Sequence, residues 1–207
     1  MKGFNLTTFR KGLIISILIA AILFTCSFTL GKINFFLLLN GNLGLVADNF
    51  FAVWTNMGDG LIWIAVLLIV VFVLKRKDTI WMLISGFVLS TLFAQICKWF
   101  IVPDAPRPSL AIADKSLIHS VKGVELYTVS SFPSGHTSTA FTVYLLFCLL
   151  INGNWWLIAG LLYALLVGYS RIYLAEHFPL DVAAGVIVGI LSAWLSLQLQ
   201  QYINKKK

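Results

Sequence analysis

The chain has 207 residues, of which 59% are hydrophobic and only 11% charged. Soluble domains carry about a quarter charged residues, so this composition excludes a water-soluble globule and describes a membrane protein, read as one integral membrane domain over 1–207. The net charge of +7 does not mark a nucleic-acid binder, because nine of the fifteen Lys and Arg form three clusters beside apolar runs (Lys2, Arg10, Lys11; Lys75, Arg76, Lys77; Lys205, Lys206, Lys207), the pattern that orients a membrane protein.

In chain order, apolar segments cover 12–30, 51–74, 79–102, 133–152, 155–171 and 180–200, which predicts an all-α bundle of six transmembrane helices. The first follows basic residues but is long enough to span and lacks a small-residue cleavage site, so it is read as a retained helix. Between the first two segments, "GKINFFLLLNGNLGLVADNF" (31–50) is too broken by Gly and Asn to cross and reads as an interfacial segment with a turn. Asp59, in "NMGDG", is assigned to a turn. Cys26, Cys97 and Cys148 show no ligand spacing and are read as packing residues.

An even helix count with both termini inside places the three basic clusters on the cytoplasmic side. The loops at 103–132 and 172–179 then face outward, together with Lys32, Lys98, Arg107, Lys115, Lys122 and Arg171. Six cations on the wrong side of the charge rule need a reason. His119, near Lys115, Lys122 and Glu125, is read as solvated surface, and so is Glu176.

Three stretches converge on that outer face. "KWFIVPDAPRPS" begins at Lys98, and its prolines end the third helix so that Lys98 and Arg107 can point into one interfacial space. "SSFPSGHTSTAF" sets Ser134, Gly135 and His136 at the start of the fourth helix, where unpaired N–H groups suit a phosphate oxygen. "YSRIYLAEHFPLD" ends the fifth helix at Arg171 and opens the sixth after His177, with Asp181 four residues further on. A carboxylate at that spacing can orient the imidazole by holding one ring nitrogen. Each feature alone has an ordinary reading: cations snorkel, and Pro-Ser-Gly caps helices. Three cations, two histidines and an aspartate on one face at membrane depth are too expensive to be incidental.

These stretches resemble the signature of the type 2 phosphatidic acid phosphatase superfamily, membrane lipid phosphatases related in their site to vanadium haloperoxidases and glucose 6-phosphatase: K-x6-R-P, then P-S-G-H, then S-R-x5-H-x3-D. "PSGH" (133–136) and "SRIYLAEHFPLD" (170–181) keep the pattern, whereas eight residues rather than six separate Lys98 from Arg107. The resemblance implies that His177 attacks phosphorus to give a phosphohistidine, Asp181 orients it, and His136 protonates the leaving oxygen. Lys98, Arg107, Ser134, Gly135 and Arg171 would hold the phosphoryl oxygens. No cofactor or metal is implied, and the sequence offers no carboxylate cluster for one. Short loops resemble bacterial members, which implies the cytoplasmic (inner) membrane with the site at the outer, periplasmic interface. The expected substrate is a lipid phosphate or pyrophosphate, undecaprenyl pyrophosphate first. Lipid A, phosphotransfer to another acceptor, and non-catalytic binding of a phosphate lipid are the alternatives.

Overall fold

A computed structural model describes residues 3–206; Lys2 and Lys207 of the basic clusters lie outside them. The fold is all-α, with no strand among the described residues.

Helix α1 (Leu6–Thr29) starts where the Asn5 side chain accepts a hydrogen bond from Thr8 N at 3.1 Å, satisfying one of the free N–H groups of the first turn. Its buried positions Thr8, Gly12, Ser16 and Ala20 recur every four residues. That stripe of small side chains lets neighbouring backbones approach closely, while Ile14, Leu18 and Ile22 on other faces stay exposed. Apolar outward faces of this kind are what lipid tails solvate.

Residues 31–50 contain the expected turn, but the second apolar helix starts earlier than the expected 51. A short helix α2 (Lys32–Leu39) is followed by a turn, and α3 (Leu45–Trp54) already begins at Leu45, continuing through a 3-10 turn to Gly58. The helix carries Asp48, whose Oδ1 accepts from Tyr173 Oη at 2.5 Å and lies 2.9 Å from His119 Nε2. His119 is therefore not solvated surface: its side chain is 11% exposed and its ring lies against Tyr173.

Helix α4 (Ile62–Leu68, widened into a π turn to Val73) bends by 64° from the α3 stretch. Asp59 sits at this bend, its Oδ1 accepting from Leu61 N at 3.1 Å, as a turn residue does. Helix α5 (Ile80–Ile96) ends in a second π turn, Cys97–Ile101. A four-residue α6 (Pro108–Ala111) lies in the following loop, and α7 (Gly135–Leu150), α8 (Trp155–Tyr173) and α9 (Pro179–Lys206) complete the chain.

The six expected spans resolve into three kinds. Four helical stretches (Leu6–Thr29, Lys77–Ile101, Trp155–Tyr173, Pro179–Lys206) are long and apolar enough to cross a membrane, and the bent pair Leu45–Gly58 with Ile62–Val73 makes a fifth only if counted as one. The remaining segment, α7, has 16 residues. At 1.5 Å per residue it covers about 24 Å, short of the ~30 Å hydrocarbon layer. It can be short because it is enclosed: every residue from Thr137 to Leu150 is buried, and α1, α5, α8 and α9 all pack on it. Gly185 brings α9 against its first turn, where a Cβ would stand 2.6 Å from Ser134 O.

One end of the bundle is tied by Asn5 N to Leu149 O (2.8 Å), Arg76 Nη1 to Gly3 O (2.6 Å) and Gln200 Nε2 to Asp78 O (2.9 Å). At the other end the 103–132 loop folds back on itself, with Arg107 N donating to Thr128 O (2.8 Å) and Ser131 N to Ala105 O (3.0 Å).

Candidate active site

The first turn of α7, the last turns of α5 and α8, the start of α9 and the folded loop meet at that second end. A cavity of about 270 Å³ opens there, lined by Lys98, Gly135, His136, Asp59, Gln95 and Thr139 among others. Lys98, Gly135 and His136 are half-buried on its wall, whereas Arg107, Ser134, Arg171, His177 and Asp181 are buried. His136 lies within electrostatic reach of Arg171, His177, Lys98 and Arg107, and Lys98 within reach of Arg107, Arg171 and Asp181. The structure thus brings the eight residues singled out in the sequence into one region.

Ser134 caps α7, its Oγ accepting from Thr137 Oγ1 (2.9 Å) and, more weakly, from Thr137 N (3.4 Å). A Cβ on Gly135 would meet nothing within 4 Å, so the glycine keeps space open in front of the helix N-terminus. Ser134 N donates to Asp181 O (3.0 Å), which locks the start of α7 to the start of α9. Pro179 is the first residue of α9, where its fixed φ and missing N–H cost nothing.

His177 Nδ1 is 3.7 Å from Asp181 Oδ2, an ion-pair separation too long for a hydrogen bond. Nδ1 and Arg171 Nε are buried polar atoms without a hydrogen-bond partner among the described residues. The Asp181 oxygen is itself occupied, accepting from Ser131 Oγ (2.5 Å) and Phe178 N (2.9 Å). Burial, with Arg107 and Arg171 adding to it and Asp181 opposing, pushes the His177 imidazole down to about 3. It is therefore neutral near pH 7, with its ring lone pair available.

The sequence reading missed several residues. Glu176 is 2% exposed, which overturns its assignment to solvated surface: its Oε2 accepts a hydrogen bond from Arg107 Nη1 and lies 3.4 Å from Arg171 Nη2. Burial raises its carboxyl above the ordinary range, while Arg171 and Arg107 pull it back. Arg171 Nη1 donates to Thr55 Oγ1 (2.6 Å), and Arg107 Nε to Val129 O (2.9 Å). Gly58 lets the 3-10 turn press on the α7 start, where a Cβ would be 2.9 Å from His136 Cβ. Only Glu176 left a signal, as a charge beside His177 in a chain with few charges. The two additional residues between Lys98 and Arg107 lie in a stretch formed by the π turn and by Asp104 at positive φ (53°).

Exposed apolar faces on the helices around a cluster of buried charged side chains (Arg107, Arg171, Glu176, His177, Asp181) define a multi-helix membrane protein. Residues 79–205 match the PAP2 superfamily; the chain belongs to it and is a membrane phosphatase of that type. It is 30% identical over 174 residues to the undecaprenyl-diphosphatase of Sulfolobus acidocaldarius, covering 82% of this chain and 78% of the relative. It is 28% identical over 169 residues to the lipid A 4'-phosphatase of Bacteroides thetaiotaomicron, covering 77% of this chain and 72% of the relative. The crystal structure of Aquifex aeolicus LpxE superposes with a TM-score of 0.66 at 31% identity, covering 79% of this chain and 92% of that one.

Proposed function

We propose that the protein hydrolyses a lipid pyrophosphate or phosphate, undecaprenyl pyrophosphate first, at the periplasmic face of a bacterial inner membrane through a phosphohistidine. One observation carries this reading: the cavity lined by Lys98 and His136 shares Asp59, Gly60 and Phe87 with an adjoining apolar groove of about 480 Å³ lined by Leu61, Trp63, Ile64, Leu67, Leu83 and Ile84. A polar cavity continuing into an apolar groove between helices suits a phosphate attached to a hydrocarbon chain. The similarity to an undecaprenyl-diphosphatase supports that substrate as the first reading, and the similarity to a lipid A 4'-phosphatase supports lipid A as the second.

In this mechanism the His177 lone pair on Nε2 forms the P–N bond as the phosphorus–oxygen bond to the leaving group breaks. His136 gives a proton to that oxygen, then takes one from the water that attacks phosphorus and breaks the P–N bond. Asp181 faces His177 Nδ1 and stabilises the charge that the ring acquires. Lys98, Arg107, Arg171, Ser134 and the Gly135 N–H bind the three equatorial oxygens, where charge grows in the transition state. Both termini lie on the cytoplasmic side in this arrangement, and 1–207 acts as one domain.

The test is phosphate release by purified protein in detergent with chelator present, on undecaprenyl pyrophosphate, lipid A, phosphatidylglycerophosphate and phosphatidate. Release that is lost in His177→Ala supports the mechanism and ranks the lipids. Release that persists in His177→Ala overturns the assigned nucleophile, and transfer to an acceptor in place of free phosphate overturns hydrolysis.

A further inference from the structure

We infer that Glu176 is a positioning residue that sets the anion affinity of the cavity, by holding Arg107 and Arg171 as a pair and competing with the phosphoryl group for their charge. The inference rests on the reading of this cavity as the phosphate site. Its basis is the way one carboxylate is used. Oε2 accepts from Arg107 Nη1 and stands 3.4 Å from Arg171 Nη2, and the Glu176 main chain reinforces both links. Arg107 Nη1 also donates to Glu176 O (3.1 Å), and Glu176 N donates to Arg171 O (2.9 Å). Two guanidiniums buried together would repel; a shared carboxylate fixes their relative placement, and Arg171 Nε is left buried without a hydrogen-bond partner among the described residues.

The same carboxylate lowers the net charge that an incoming phosphate meets. Lys98, Arg107 and Arg171 supply three cations; Asp59 on the cavity wall accepts from Leu61 N, Asp181 is held by Ser131 and Phe178 N and faces His177, and Glu176 is the anion bonded to the arginines. A site that bound inorganic phosphate with the full charge of all three cations would retain its product, and binding substrate and transition state alike adds nothing to kcat. Glu176 weakens ground-state and product binding, yet keeps the arginines aimed at the oxygens on which charge grows.

The experiment is calorimetric titration of the purified protein in detergent with inorganic phosphate, beside steady-state turnover, for wild type, Glu176→Gln and Glu176→Asp. In the Gln variant the side-chain oxygen can still accept from Arg107, but the charge is gone, and phosphate should bind about 10-fold more tightly while kcat and KM both fall. The Asp variant keeps the charge and loses the reach to both guanidiniums, so kcat should fall about 10-fold with phosphate affinity within about twofold of wild type. Weaker phosphate binding in Glu176→Gln, tracking the loss of turnover, would reduce Glu176 to a structural role and overturn the inference; so would Glu176→Asp with wild-type kcat, which decides the matter even if the Gln variant cannot be recovered folded. A wild type that turns over no lipid would instead overturn the phosphatase reading itself.

Discussion

Two glycines that meet at the start of the central helix, Gly135 on α7 and Gly185 on the neighbouring α9, separate packing from catalysis. At Gly185 a Cβ would lie 2.6 Å from Ser134 O and 2.9 Å from Thr137 Cβ. Relieving those contacts to ordinary van der Waals distance requires α7 and α9 to part by about 1 Å, at the level where Ser134 N is bonded to Asp181 O. Overpacking of this kind costs about 1–3 kcal/mol, partly offset by the ~1 kcal/mol that alanine gains over glycine inside a helix. Net stability should therefore change little, whereas a displacement of about 1 Å between catalytic groups costs on the order of 100-fold in rate. At Gly135 the added methyl meets nothing within 4 Å and projects into open space before the helix N-terminus. Gly135→Ala should then melt within about 2 °C of wild type but raise KM, because the methyl occupies room a phosphoryl oxygen needs. The assay is phosphate release in detergent with a parallel thermal melt of each variant. Gly185→Ala with kcat within twofold of wild type would refute the claim that the α7–α9 contact sets the site geometry.

Lys98→Ala should lose about 100-fold in kcat with its melting temperature retained, while Arg107→Ala should lose activity and also melt lower, since Arg107 further bonds Val129 O and Glu176; turnover and melts of the two variants check this. Thr55→Val removes the partner of Arg171 Nη1 and should reduce kcat/KM about 10-fold, read from initial rates, the charged hydrogen bond contributing about 1.5 kcal/mol. Folding holds the His177 imidazole down at about 3, below its unfolded value of about 6.5. Its contribution to stability is thus complete above pH 6.5 and is lost progressively as pH falls toward 3, because only the unfolded state takes up the proton. Melting temperature should decline with acid below pH 6.5, and less steeply in His177→Ala; equal slopes would show that His177 is not the group responsible.

Much of the bundle was legible because lipid-facing helices announce themselves by apolar length. The segments at 12–30, 79–102, 155–171 and 180–200 correspond to α1, α5, α8 and α9. Part of what escaped notice depended on partners distant in sequence. The start of α3 at Leu45 was hidden because Gly and Asn break up the 31–50 stretch, and the charge the helix carries, Asp48, is made tolerable by Tyr173 and His119 from other elements. Glu176 looked solvated, its counter-charges being Arg107 and Arg171. Ser131 and Thr55 are small hydroxyl residues whose pairing with Asp181 and Arg171 no spacing rule foretells. By contrast, the placement of Ser134 and Gly135 at a helix start follows from local chemistry, a serine cap followed by an unbranched residue.

The shortness of α7 bears on how the enzyme meets its membrane. Helix α1 has 24 residues and α7 has 16, and Asn5 N bonded to Leu149 O makes them level at one end. At the other end α7 stops about 12 Å lower, so the cavity at its N-terminus is sunk below the rim that α1 reaches. In the function proposed above, a phosphate leaves the headgroup layer and descends to be cleaved, and the depth of that descent is set by where the surrounding lipid surface lies. Local thickness of the bilayer, which adjusts to the lengths of the outer helices, thereby becomes part of the energetics of substrate capture.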